Sequence, residues 1–255
     1  MHPLRGFLAL IERECYRFGG STSIQTIATP VLTTALFILI FGYSLGSQIK
    51  TISSFSYILY ILPGLTGMAV LSNSYSNSST SLFMARIDQS IENIITSPLS
   101  PTRIVIAFVI GGMIRGVIVG TVILLVASVI TPLSVSSIFL TGLNIVIGSL
   151  LFSSLGIISG LMSEEWDQLA LVSNFIITPL TYLGGVFYSV QMLPSPWQGL
   201  SHLNPIFYLI DGFRYSILGI SDISPAISFP VGIGLAVLVL TIAIQLFRSG
   251  YKIIT

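Results

Sequence analysis

Charge is what this sequence has least of. Only 7% of its 255 residues are Asp, Glu, Lys or Arg and 53% are hydrophobic, whereas soluble domains carry about a quarter charged residues. So little charge excludes an ordinary soluble domain, and a net charge of +1 implies no nucleic-acid partner. A single cysteine, Cys15, excludes an intramolecular disulfide and a cysteine-based metal site. The two histidines, His2 and His202, stand far apart in sequence, and neither a G-x-x-x-x-G-K-S/T loop nor an H-E-x-x-H pair is present. With no motif for ATP, metal or covalent catalysis, no metal and no cofactor is expected in this chain. The opening twenty residues lack a long apolar run and carry Arg5, Glu12, Arg13, Glu14 and Arg17, so a cleavable signal peptide is not expected.

What is abundant is long apolar sequence. A bilayer core of about 30 Å needs about 20 apolar residues per helix. Six stretches of that kind occur, roughly 27–48, 57–79, 104–130, 137–162, 169–188 and 227–247. They predict an all-α polytopic membrane protein with one transmembrane domain, 1–255, and six spans. Ahead of them, residues 3–18 place Leu4, Phe7, Leu8, Ile11, Cys15 and Phe18 on one helical face, too short to span and suited to lie along the membrane surface. A turn at Gly19-Gly20-Ser21 leads into span one, where Pro30 is expected in the first turn.

Polar residues within these stretches are the candidate functional positions. In span two, every residue from Ser72 to Ser81 carries a hydroxyl or an amide. Two readings stand: hydrogen bonding between helices, and a polar wall of a substrate path. Span three holds Arg115, which pairs with an acid, faces a polar cavity or snorkels. Beside it Gly112, Gly116 and Gly120 recur every four residues, a face for close helix packing. Span four ends in Glu164, Glu165 and Asp167, either a solvated turn or a contact for a basic patch.

Between spans two and three, residues 82–97 set Met84, Ile87, Ile91 and Ile94 at helical spacing with Arg86, Asp88 and Glu92 between them, and Pro98 and Pro101 stop the run. This predicts an amphipathic helix outside the bilayer, solvated or docked on a cytoplasmic partner. The stretch 178–220 is the most unusual. It begins as a hydrophobic helix, breaks at Pro194 and Pro196, and continues through Trp197, His202, Asn204, Pro205, Tyr208, Asp211 and Arg214 without becoming hydrophilic. Residues 189–215 are therefore expected to re-enter the membrane interface. Asp211 and Arg214, three apart on one helical face, are expected to pair locally in preference to contacting substrate. With six spans, one side collects Arg5, Arg13, Arg17, Arg86, Arg103, Arg248 and Lys252, and the other only Lys50 and Arg214. That excess places both termini in the cytoplasm.

These features leave a channel, a secondary transporter or one subunit of a powered pump. The strings TPLTYLGGVFYS (178–189), LP (193–194), WQGLSHLNPI (197–206), GFRY (212–215) and LGI (218–220), with SPLSP closing the 82–97 segment, resemble the permease subunit of ABC-2 type exporters over nearly the whole chain. The resemblance implies a bacterial inner-membrane homodimer served by two copies of a separate cytoplasmic ATPase, which binds the ATP and Mg; the chain itself would not be an enzyme. Residues 3–18 would be the elbow helix of this type V exporter fold. Residues 82–97 would be the coupling helix, docking through Arg86, Asp88 and Glu92. Residues 189–215 would cap the external end, with Trp197, Asn204, Pro205, Asp211 and Arg214 in that cap. Transport would run outward along the dimer interface between spans two and five, lined by Asn73, Asn77, Thr178, Thr181 and Tyr182. Few aromatic residues fall in that path, which favours an amphipathic or lipid-like substrate over a polysaccharide. The rival is a secondary transporter or channel using Arg115 and the acidic loop, although no internal repeat accompanies it. A membrane scaffold would leave the re-entrant stretch unexplained.

Overall fold

The computed structural model describes residues 3–17, 22–44 and 51–250. The turn expected at 19–21, the part of the first exit loop that holds Lys50, and His2 and Lys252 lie outside the described residues. Helix α1 (Pro3–Tyr16) is followed by α2 (Thr22–Ser44), and a two-residue hairpin pairs β1 (Thr51–Ile52) with β2 (Phe55–Ser56). Then come α3 (Tyr57–Ile87), the short α4 (Ser90–Ile95), α5 (Pro101–Ile130) and α6 (Ile138–Met162). The second half runs through α7 (Trp166–Leu171), α8 (Thr178–Leu183), α9 (Ser195–Leu203), α10 (Pro205–Leu218) and α11 (Pro225–Arg248).

Local chemistry accounts for the boundaries. Pro101, Pro205 and Pro225 each open a helix, where a missing N–H costs nothing and the fixed φ is already helical. Ser137 caps α6 by accepting from the N–H of Leu140, and Asn204 caps α10 by accepting from that of Ile206 at 3.0 Å. Gly219, at φ 78°, ends α10 in the left-handed conformation that glycine adopts without strain.

By length and apolar composition, α5, α6 and α11 qualify as membrane spans among the described residues, and Ile27–Gly42 within α2 is a shorter apolar helix. With 31 residues α3 is longer than these, but its serines and asparagines dilute its apolarity. Pro30 does not fall in a first turn; α2 begins at Thr22 and carries the proline inside.

Two expected helices are broken. The amphipathic helix over 82–97 is in fact the last turn of α3 plus α4. Gln89 takes a left-handed φ of 59°, and the carboxylate of Asp88 accepts the N–H of Ser90 at 3.0 Å. That local bond competes with helical hydrogen bonding and stops α3. The expected span 169–188 is also not one helix. Between α7 and α8 the turn widens into a π-helix at Val172–Ile177, and the regular path ends at Leu183. Pro179 has no N–H to give the preceding turn; Thr178 instead donates its Oγ1 to the carbonyl of Ser173, five residues back, at 3.0 Å.

The bundle is organised around α3, which packs on α5, α6 and α10; α6 also packs on α11, and α1 on α5. The Ser-rich half of α3 allows this closeness. Ser74 and Ser78 sit directly over Gly116 and Gly112 of α5, and a Cβ on Gly156 of α6 would come within 2.6 Å of the Tyr75 carbonyl. The glycine face predicted on span three is therefore the contact with span two. The hydroxyls divide: those of Ser79 and Thr80 donate to the Ser76 carbonyl of their own helix at 3.2 and 2.7 Å, whereas Ser78 donates to the Phe108 carbonyl of α5 at 3.5 Å and Ser81 reaches α1. The serines thus contribute both small size and hydrogen bonds between helices.

Candidate functional site

Between Tyr60 and Ala85 every residue of α3 is buried except Met68, Ser72, Asn73, Ser76, Thr80 and Met84. Five of these recur every four residues and so form one accessible stripe along the helix. The two readings of the polar segment thus divide by face. Ser74, Ser78 and Ser79 pack inward, and Ser72, Ser76 and Thr80 stay open.

Two clefts adjoin the stripe. One, of about 430 Å³, lies between α2, α3 and α5 and is lined by Thr33, Phe37, Leu65, Ser72, Asn73 and Arg115 among others. The other, of about 290 Å³, lies between α3 and the α7–π-helix segment, against Ser76, Thr80, Trp166, Ser173 and Asn174. Of the expected path residues, Asn73 lines the first cleft and Tyr182 is exposed. Asn77 is buried in the bundle, and Thr181 is buried with its hydroxyl donated to the Ile177 carbonyl at 2.7 Å. Neither lines an open surface, because each lies on the packed side of its helix. Thr178 is half-buried and spends its hydroxyl on Ser173. Ser76 and Thr80 belong to the polar run read as a candidate wall but not to the named path residues, and Ser173 and Asn174 are not expected from sequence; because every residue from 72 to 81 is polar, the run itself does not mark which face is open.

Arg115 faces the larger cleft. Its Nη2 donates to Asn73 Oδ1 at 3.3 Å, and its Nε is buried without a hydrogen-bond partner. Among the described residues no carboxylate comes within ion-pair distance of it. No ion pair with an acid forms there, and the side chain lines the cleft.

At the end of the bundle where α3 stops, Arg86 is not presented to a partner. Its Nη1 donates to the carbonyls of Gly160, Leu161 and Ser163 at 2.8, 3.0 and 2.8 Å, closing the C-terminus of α6. Glu164 acts electrostatically on the same guanidinium. The acidic loop thus meets a basic residue of its own chain, while Glu165 and Asp167 are exposed. Asp88 and Glu92 are also exposed, and with Met84 and Ile87 they form one exposed surface. Next to it, Glu14 of α1 is fully buried. Its Oε2 accepts from Ser81 Oγ at 2.7 Å and from Arg17 at 3.0 Å, and its Cβ packs on Gly111. Nothing in the amphipathic pattern of 3–18 distinguishes this residue.

The opposite end, where α3 begins, is closed by α9 and α10. Arg214 does not pair with Asp211. Its Nη1 lies 3.6 Å from Asp222 Oδ2, its guanidinium stacks 4.4 Å above the ring of Tyr60, and it donates to the Gly185 carbonyl. Asp222 also accepts from Ser189 Oγ at 2.6 Å and the N–H of Val190 at 2.8 Å. Asp211 accepts instead from the N–H of Asp222 at 2.6 Å and from Ser228 Oγ at 3.1 Å. Burial raises the Asp211 carboxyl above its ordinary range, against the pull of the Asp222 N–H. Asn204 donates to the Leu180 carbonyl at 2.6 Å, so the first turn of α10 is pinned to α8, and Pro205 follows as its first residue. Helix α10 is buried throughout its apolar face, and Trp197, Leu200 and Leu203 of α9 stay exposed. The end is a packed plug fastened by polar bonds, and α9 presents an exposed apolar face on it.

A family profile for the ABC-2 type transporter matches residues 5–218. The chain is 42% identical over 239 residues to the inner membrane transport permease YadH of Escherichia coli K12, covering 93% of each. It is 24% identical over 196 residues to nodulation protein J of Sinorhizobium fredii, covering 76% of this chain and 73% of that one. A second nodulation protein J, from Rhizobium meliloti, is 22% identical over 225 residues, 88% and 84% of the two chains. With its apolar helices and a match across most of its length, the chain belongs to the ABC-2 type transporter family, among the inner-membrane transport permeases.

Proposed function

We propose that this chain is the permease half of an ATP-driven exporter. Two copies would assemble with two copies of a cytoplasmic ABC ATPase of the YadG type, which binds ATP and Mg and supplies all hydrolysis. Six spans would place both termini in the cytoplasm, α1 as an elbow helix at the inner surface, and α9–α10 as the external plug. The accessible stripe of α3 carries this reading: it connects both clefts and leads to the Met84–Ile87–Glu92 surface at the end where α3 stops. A partner pushing on α4 would displace α3, and the stripe beside the π-helix would open towards the outside. The cargo would be amphipathic, since the stripe sets the hydroxyls of Ser72, Ser76 and Thr80 between Met68 and Met84.

Co-purification with a cytoplasmic ABC ATPase of the YadG type, followed by ATPase assay in lipid nanodiscs, tests this. A two-plus-two complex with vanadate-sensitive turnover is expected. A chain that purifies alone as a stable oligomer and moves solute without ATP would overturn it in favour of a channel or secondary transporter.

A further inference from the structure

The larger cleft has a built-in polarity. Along α2, Thr29 and Thr33 precede Phe37; along α3, Leu65 and Met68 precede Ser72 and Asn73. Because α2 and α3 run antiparallel if each crosses the bilayer, the threonines, Ser72, Asn73 and Arg115 gather at one end and Phe37 and Leu65 at the other. With the termini cytoplasmic, as in the function proposed above, the polar end is the inner one. Arg115 lies one turn of α5 beyond Gly111, the residue against which buried Glu14 of α1 packs. The guanidinium therefore sits just inside the level of a surface-lying helix, in a site with no carboxylate at ion-pair distance among the described residues. Arg17 nearby adds charge of the same sign and is itself held by Glu14. A desolvated guanidinium with no carboxylate beside it among the described residues is costly unless an anion arrives.

We propose that this cleft takes an anionic amphiphile from the inner leaflet. The phosphate or carboxylate headgroup sits on Arg115, Asn73 and Thr33, and the hydrocarbon chain lies against Phe37 and Leu65. The binding chemistry of the cleft stands by itself, and the direction of the cleft and the role of the amphiphile as cargo rest on the permease reading. A guanidinium recognises such a headgroup through paired N–H donors, and Asn73 holds one of its nitrogens in place.

The test is native mass spectrometry of the purified chain with equimolar phosphatidylglycerol and phosphatidylcholine, without ATP or ATPase. Retention of phosphatidylglycerol should exceed that of phosphatidylcholine about tenfold, equivalent to about 1.4 kcal/mol. Arg115→Gln should abolish the preference and Arg115→Lys should keep most of it. Thr33 is exposed at the mouth, so Thr33→Phe should exclude the lipid with Arg115 intact; it decides the matter if Arg115→Gln does not assemble. Equal retention of the two lipids, or an unchanged preference in folded Arg115→Gln or in Thr33→Phe, overturns the proposal. Displacement of phosphatidylglycerol by comparable inorganic phosphate also overturns it, as the site would then hold a free anion only. Since no nucleotide is present, loss of the pump reading leaves this result standing, and the reverse.

Discussion

Arg214 and Asp222 form an ion pair at 3.6 Å that fastens α10 to the connection leading into α11. Both are withdrawn from solvent, and Asp222 also holds the chain at Ser189 and Val190. Arg214→Ala would leave that carboxylate buried without its cation. Breaking a buried pair costs about 3–5 kcal/mol. The variant should melt well below wild type in detergent, and Asp211→Asn should cost less, about 1–3 kcal/mol, as loss of part of a hydrogen-bonded acceptor. Thermal unfolding followed by intrinsic fluorescence measures both; a larger loss for Asp211→Asn would contradict the pairing.

Arg86 and Glu92 should separate cleanly. Arg86→Ala frees the carbonyls at the end of α6, and a lowered melting temperature is expected, corresponding to about 1–3 kcal/mol. Glu92 is exposed, so Glu92→Lys should leave stability within about 0.5 kcal/mol and weaken ATPase binding. Pull-down of the ATPase alongside a melting curve distinguishes them.

Glycine substitutions probe the packing of α3. Gly112→Ala would force a methyl against Ser78 and Ser153 and should cost about 1–3 kcal/mol. A Cβ at Gly142 would meet nothing within 4 Å, so Gly142→Ala should be neutral or stabilise by up to about 1 kcal/mol through helix propensity. Equal effects at the two sites would show that α5 does not approach α3 as closely as described.

Ser76 and Thr80 should matter for transport but not for folding. Both stand on the accessible stripe beside the second cleft. Thr80→Leu should preserve assembly and melting temperature and reduce substrate-stimulated ATP hydrolysis several-fold in nanodiscs, whereas wild-type stimulation would remove Thr80 from the path.

Much of this architecture can be read from pattern. Apolar runs mark α5, α6 and α11, and the Gly112–Gly116 spacing marks a close helix contact, whereas the proline expected in a first turn, Pro30, lies inside α2. What pattern hides is direction and distance. Arg86 has the spacing of a surface residue, but its long side chain reaches the carbonyls that end another helix. Arg214 has a carboxylate one turn away in Asp211, yet its ion pair is with Asp222, because the backbone N–H of residue 222 already occupies Asp211. Glu14 looks like any charge on an amphipathic helix, and only the absence of a side chain at Gly111 lets it enter the bundle. Such choices depend on which helices become neighbours, and a single sequence states that only indirectly.

Arg13 reaches Ser90 on α4 at 3.2 Å, and the next residue, Glu14, reaches Ser81 on α3. Adjacent positions on α1 therefore hold both sides of the bend at Gln89 and rest on α5 as well. Under the docking proposed above, force delivered to α4 would arrive at α3 and α5 together, as torque on a strut, with the first helix of the chain as part of the crank.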